Sequence, residues 1–243
     1  MNAMLTDLLV TSIEETQDAI LSSSKIQIAG GRTKPALSSC ARDVTMLDMR
    51  GLSGILDYDP GEYTFSALAG TTPSVVQAAL AEHGQYMPFD PPLVSAGATL
   101  GGTVAAGLSG SGRHRYGGVR DFLLGIRFVD GRGRLVRGGG KVVKNAAGFD
   151  LPKLFVGSLG QFGALVEVSF KVFPQPSTYA TLVTDHDTLT SALDGLSALA
   201  SAPFDIDALD VAVKADDVTT LVRVGGLSDT IEARLDGIAA RLG

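Results

Sequence analysis

Apolar and polar positions along this chain change period several times, and each change marks an element. Thr11 to Ser22 reads as a helix, with Thr11 or Ser12 as cap and Glu14 and Glu15 in the first turn, where the helix dipole favours anions. Lys25 to Ala29 alternates as a strand, and Thr45 to Met49 is a second. Ile55 to Tyr58 and Tyr63 to Leu68 flank the turn Asp59-Pro60-Gly61-Glu62 and predict a β-hairpin. Thr72-Pro73 opens a helix whose buried face is Val75, Val76, Ala79 and Leu80, and Gly84 ends it. The first part of the chain is therefore a small α+β subdomain.

Met87 to Leu93 is a Pro-rich connector. A short helix is expected near Thr99 or Leu100, with Thr99 as its cap. Arg120 to Phe128 and Leu135 to Arg137 read as strands joined by the turn Asp130-Gly131-Arg132-Gly133. Leu151 to Val156 reads as a short helix. Val166, Val168, Phe170 and Val172 alternate with Glu167, Ser169 and Lys171, which predicts a half-buried strand ending at Pro174. After a linker at Gln175 to Ser177 come a strand (Tyr179 to Val183), a helix (Leu189 to Ala200), two strands (Ala208 to Val213, Val218 to Val224) and a helix (Thr230 to Leu242). That order, β-α-β-β-α, supplies five of the six elements of a ferredoxin-like unit.

Composition narrows the class. The chain has 243 residues, 45% of them hydrophobic and 19% charged, as in an ordinary globular protein. No apolar run is long enough to span a membrane, and no secretory signal is evident. The single cysteine, Cys40, excludes an internal disulfide and a Cys-rich metal site, and fits a reducing cytoplasmic setting. Peripheral association with the inner face of a membrane stays open. Charge is uneven: residues 1–174 carry 16 basic and 15 acidic side chains, residues 175–243 only 4 basic against 11 acidic. Arg113 to Lys144 holds nine Lys or Arg against Asp121 and Asp130, a segment that would attract a pyrophosphate, an anionic substrate or an acidic partner. The acidic total and the lack of an aromatic-basic motif argue against nucleic acid.

Glycine carries the chemistry. Of the 30 glycines, eight fall between Ala96 and Gly118. A second, shorter cluster, Gly30-Gly31-Arg32-Thr33-Lys34-Pro35, directly follows the Lys25 to Ala29 strand. Backbone donors, a hydroxyl and two cations in one loop suit a phosphate-bearing cofactor. The ATPase-type phosphate loop is excluded by spacing. A nicotinamide-binding Rossmann unit is excluded too: Gly157, Gly160 and Gly163 do not form its glycine signature.

Two motifs carry a resemblance. Gly97-Ala98-Thr99-Leu100-Gly101-Gly102, Ala105-Ala106-Gly107-Leu108-Ser109-Gly110 and Val119-Arg120-Asp121-Phe122 resemble the second FAD-binding loop of FAD-linked oxidases of the vanillyl-alcohol-oxidase superfamily, with its PCMH-type FAD-binding domain. The run from Gly139 to Leu151, with Val156-Gly157-Ser158-Leu159-Gly160, is most similar to FAD-binding subunits of bacterial glycolate oxidase. The resemblance runs from about Lys25 to Pro176. It implies an α+β fold: a FAD-binding domain over residues 1–176, in subdomains of about 1–86 and 87–176 with FAD between them, then a short, incomplete ferredoxin-like cap over 177–243.

Carried over by position, Gly30, Gly31, Arg32, Thr33, Lys34 and Pro35 belong to the pyrophosphate loop. Gly97, Ala98, Thr99, Gly101 and Gly102 pack against pyrophosphate and flavin, Ala105, Ala106, Ser109 and Gly110 continue along the flavin, and Gly163 and Ala164 lie toward the adenine. The first loop has no His and the second no Cys, the family's usual attachment sites, so non-covalent FAD is expected. Phe149 stands where relatives usually carry Tyr. The implied activity is oxidation of a small 2-hydroxy acid, glycolate or D-lactate, through the flavin, with a related flavin subunit and an iron–sulfur subunit as partners. A non-catalytic scaffold that keeps the flavin fold, or a free-standing FAD-dependent oxidoreductase on another substrate, are the alternatives.

Such a reaction needs a base for the hydroxyl proton. His114, between Arg113 and Arg115, is the local candidate, although a surface loop position explains it as well. His83 suits a helix end, and His186 is expected in solvent. Lys144 and Asn145 read as polar anchors beside the cofactor. No residue earns a catalytic assignment, and no metal site is expected.

Overall fold

The computed structural model describes residues 6–37, 43–140, 149–215 and 217–242. Cys40, Lys144 and Asn145, with most of the second glycolate-oxidase-like motif, lie outside the described residues.

In chain order the elements begin with β1 (Thr6–Leu9), α1 (Ile13–Ser22), β2 (Ile26–Ala29), β3 (Thr45–Asp48), β4 (Ile55–Asp59), β5 (Thr64–Leu68), α2 (Pro73–Ala81) and β6 (Gln85–Tyr86). Three short helices follow: α3 (Leu100–Ala106), α4 (Arg113–Tyr116) and α5 (Val119–Phe122). Next come β7 (Leu123–Val129), β8 (Leu135–Gly139), α6 (Leu151–Phe155), β9 (Ala164–Lys171) and β10 (Phe173–Pro174). The last elements are β11 (Thr178–His186), α7 (Leu189–Ala200), β12 (Ala208–Lys214), β13 (Asp217–Gly226) and α8 (Ser228–Leu242). Residues 1–87, 91–109 and 118–173 make one compact unit; residues 88–90, 110–117 and 174–243 make another.

Two larger sheets lie in the first unit. β1, β3 and β2 form a parallel sheet in that order, and β4-β5-β9-β7-β8 form an antiparallel one. Val10, Ala19, Leu47, Met49, Leu52, Val129, Ala164 and Val166 bury together, so α1, the parallel sheet and the antiparallel sheet share one core. The α1 cap is Ser12, whose Oγ accepts from the Glu15 N–H at 3.0 Å. β9, expected to be half-buried, is covered on both faces as the middle strand of five. Its polar residues are matched there: Ser169 Oγ lies 2.7 Å from Ser66 Oγ, and Glu167 pairs with Arg127 at 3.0 Å.

Two local expectations change, and β1 is an element the sequence pattern does not predict. Val75 is 49% exposed, and α2 buries Val76 and Leu80 instead. The start of the expected Arg120 strand is helical over Val119–Phe122, because Asp121 accepts from the Gly118 N–H (2.9 Å) and Val119 and Phe122 bury at i, i+3 spacing. β1 shows no alternation; its leucines, Leu8 and Leu9, are exposed, and only pairing with β3 makes it a strand.

The second unit is an antiparallel sheet, β11-β13-β12, with α7 and α8. Leu199, Ile206, Val222, Val224, Ile231 and Ile238 are its buried centre, which places the central strand β13 against both helices. His186 is half-buried, its Nε2 2.8 Å from Thr220 Oγ1, not free in solvent.

Candidate functional site

A cavity of about 430 Å³ opens in the first unit, and all of its lining residues belong to that unit. Three segments build most of the wall: the end of β2 with residues 30–35, Thr99 with α3, and residues 158–160 after α6. Met46, Met49, Ala69 and Leu165 add apolar surface.

Local chemistry sets each segment. Thr99 is extended and its Oγ1 accepts from the Gly102 N–H at 3.1 Å, which starts α3. Gly107 ends the helix with φ 66°. The last carbonyls of a helix lack partners within it. Here Val104 and Ala105 carbonyls accept from the N–H groups of Gly157 (3.0 Å) and Leu159 (2.9 Å), which seats Ser158 in the wall. The two glycine loops touch. A Cβ on Gly31 would overlap the Gly97 carbonyl, one on Gly30 would overlap Thr99 Oγ1, and one on Gly101 would come within 2.9 Å of the Ala69 Cβ.

Of the positions singled out in the sequence, Gly30, Gly31, Arg32, Thr33, Lys34, Pro35, Thr99, Gly101, Gly102, Ala105, Ala106 and Gly163 line the cavity. Gly97, Ala98, Ser109, Gly110 and Ala164 do not. Gly97 lends its carbonyl to the contact with Gly31, while Ala98 and Ala164 are core residues. Ser109 Oγ accepts from the Val119 N–H at 2.9 Å. Gly110 donates to the Asp90 carbonyl at 2.6 Å and belongs to the second unit. Ser158, Leu159 and Gly160 also line the cavity, and the Gly157-Ser158-Leu159-Gly160 motif is the one signal in the sequence that points to them.

None of the three histidines lines the cavity. His83 packs edge-on against Tyr58 at 5.4 Å, and His114 is exposed on α4.

The charged lining residues are Asp7, Arg32 and Lys34. Arg32 is not a free cation: its Nη2 lies 3.0 Å from Asp7 Oδ2 and 3.5 Å from Asp48 Oδ2. Lys34 makes no ion pair among the described residues; its Nζ reaches Thr33 Oγ1 at 3.3 Å, and burial pushes its pKa down. Asp48, 3% exposed at the end of β3, accepts from the Arg50 backbone N–H at 3.1 Å and pairs with its guanidinium at 2.6 Å. Burial raises the Asp48 pKa, but the Arg50 hydrogen bonds and the Arg50 and Arg32 charges outweigh it and leave the carboxyl below its ordinary value. A lowered folded pKa gives stability above the unfolded value, ~4, that is lost as pH falls through the folded one. Urea midpoints measured down to about pH 3 should therefore fall more steeply for the natural chain than for Asp48→Asn. Parallel acid profiles would remove Asp48 from the acid response.

Comparison with known proteins decides the family. Residues 8–139 match the model of the FAD binding domain. This chain belongs to that FAD-binding family. It is 42% identical over 170 residues to glycolate oxidase subunit GlcE of Escherichia coli, an alignment covering 70% of this chain and 48% of that protein. It is 31% identical over 157 residues to glycolate oxidase subunit GlcD of Bacillus subtilis, covering 65% of this chain and 33% of that one. The chain thus spans less than half the length of these curated relatives. In three dimensions it resembles an alkyldihydroxyacetonephosphate synthase, with TM-score 0.79 at 19% identity over 97% of this chain and 50% of that one. That likeness shows the fold. No helix among the described residues is long and apolar enough to cross a membrane.

The cofactor is FAD, and the residues present fit it. The walls are glycine and alanine where two loops already touch, so backbone can approach a bulky ligand. Lys34 offers an ammonium that no carboxylate pairs among the described residues. Ser158 Oγ is buried in the wall with no hydrogen-bond partner among the described residues, the state of a group that a polar ligand would satisfy.

Proposed function

We propose that this chain is the FAD-binding subunit of a glycolate-oxidase-like complex that oxidises a small 2-hydroxy acid, glycolate or D-lactate. Its partners in this reading are a related flavin subunit and an iron–sulfur subunit. The observation that carries the cofactor part is the cavity itself, with a Lys34 in no ion pair and a Ser158 hydroxyl without a hydrogen-bond partner among the described residues, set among glycine walls. FAD, when bound, supplies the acceptor for the substrate's electrons. The chain's own residues hold it. Lys34 and Thr33 meet the pyrophosphate. Gly30, Gly31, Gly101 and Gly102 let the backbone close on it. Ala105 and Ala106 leave room along the flavin, and Gly163 lies toward the adenine. Attachment is non-covalent.

The test is direct. Apo-protein titrated with FAD should quench flavin fluorescence to saturation, and acid precipitation should release all the flavin into the supernatant. No uptake would sink the reading, and flavin left on the precipitate would overturn non-covalent attachment. Co-purification with the partner subunits, and glycolate- or D-lactate-dependent reduction of an artificial acceptor by the complex, test the rest.

One observation favours a scaffold as the second reading: the titratable lining residues are Asp7, Arg32 and Lys34, two of them paired to each other, with no histidine among them. Turnover of either acid by the flavin-loaded chain alone would eliminate it.

A further inference from the structure

We infer that Arg32, which lies within the pyrophosphate loop, is a positioning residue held by Asp7 and Asp48 and not a ligand of the phosphates. The inference rests on the FAD reading above. Arg32 has φ 52°, in the left-handed region that a side-chain-bearing residue adopts at a cost. Something nearby must offset that cost, and the guanidinium shows what does. One nitrogen, Nη2, faces Asp7 at 3.0 Å and Asp48 at 3.5 Å. Asp48 is itself an anchored group, with its side chain 5% exposed and Arg50 bonded through both backbone and guanidinium. The loop is thereby tied to β1 and to the end of β3.

The tie falls between the two groups that matter for a phosphate. On one side Gly31 abuts the Gly97 carbonyl; on the other Lys34 enters the wall. Charge divides the same way. Arg32 and Arg50 face Asp7 and Asp48, a balanced set, whereas Lys34 has no acid among the described residues. An arriving pyrophosphate therefore meets Lys34 as the uncompensated cation, and Arg32 keeps the turn in the shape that presents it.

The alternative makes the opposite prediction. If Arg32 bound phosphate, Asp7 would compete with the cofactor for it, and removing Asp7 would tighten binding. FAD titration of the full apo-chain at about 0.3 M salt, where charges more than roughly 6 Å apart are screened, separates the two. Asp7 and Arg32 are 55% and 41% exposed, so Asp7→Asn and Arg32→Met leave the core intact. The expected result is FAD affinity weaker by about threefold in Asp7→Asn and about tenfold in Arg32→Met, with the double variant no weaker than Arg32→Met. Asp7→Asn and Lys34→Met should instead multiply, because Lys34 does not act through Asp7. Tighter binding by Asp7→Asn overturns the inference, as does a double variant that multiplies the Asp7 and Arg32 effects. A natural chain that takes up no FAD overturns this and the function reading together. FAD bound by the natural chain with the inverted variant pattern overturns this one alone.

Discussion

Gly31→Ala is expected to lower FAD affinity about 100-fold and to destabilise the first unit by about 2–3 kcal/mol. The added Cβ would overlap the carbonyl of Gly97, and that carbonyl is backbone. A flexible side chain could swing away; a peptide unit moves only if its loop moves. Relief therefore requires the turn before α3 to separate from the loop after β2, and Thr99 beside the one and residues 30–35 of the other line the cavity. The cofactor site would widen at the place where the backbone should close on phosphate. Gly97→Ala is the matched comparison. Nothing lies within 4 Å of a Cβ at Gly97, but its φ is +85°. That substitution strains one residue by about 1–2 kcal/mol without forcing the loops apart. FAD titration and thermal melts of the two variants should rank Gly31→Ala as the more severe in both readouts. Equal affinities in the two variants would mean that the contact between the loops does not shape the site.

The contact at Gly31 also shows what a sequence can carry and what it cannot. Each loop was readable by itself. Alternation from Lys25 to Ala29 predicts a strand, Gly-Gly follows it, and Thr99 is the expected cap of a short helix, which the structure contains as α3. These signals are local, since a capping oxygen and the N–H it satisfies lie three residues apart. That the loops meet is a long-range fact, set by the packing of the whole unit, and no residue type announces it. The same holds for residues 157–159. Their role comes from backbone N–H groups that reach the carbonyls of Val104 and Ala105, and backbone bonds leave no mark on side-chain choice. Arg32 shows a related limit. In sequence it is a second cation beside Lys34, and only the approach of Asp7 from β1 and Asp48 from β3 separates their roles. The glycine stretch from Ala96 to Gly118 reads as one piece because its composition is uniform. In the structure Ser109 Oγ bonds the Val119 N–H, and the eight residues between Ser109 and Gly118 pack with the second unit.

Asp207→Ala is expected to destabilise that second unit by about 3 kcal/mol. Asp207 is 4% exposed at the start of the β12 region. Its Oδ1 accepts from Tyr116 Oη at 2.8 Å and lies 3.3 Å from an Arg115 nitrogen, while its Oδ2 accepts from the Gly225 N–H. The Gly225 carbonyl in turn accepts from Arg234 of α8 at 2.7 Å, and the other Arg234 terminal nitrogen donates to the Asp205 carbonyl at 2.7 Å. A single carboxylate thus joins α4 to the end of β13, and Arg234 extends the join to α8. Truncation removes the acceptor of a ladder-end N–H and leaves Arg115 with Asp205, which is 78% exposed and 3.6 Å away. An exposed pair at that distance returns little. Tyr116→Phe deletes one hydrogen bond and leaves the carboxylate in place, so about 1 kcal/mol is expected there. Asp207→Asn should fall between the two, because its amide oxygen can serve one donor but carries no charge for Arg115. Urea denaturation of the three variants should give that order. An Asp207→Ala midpoint no lower than that of Tyr116→Phe would show that the carboxylate contributes nothing beyond its hydrogen bond with Tyr116.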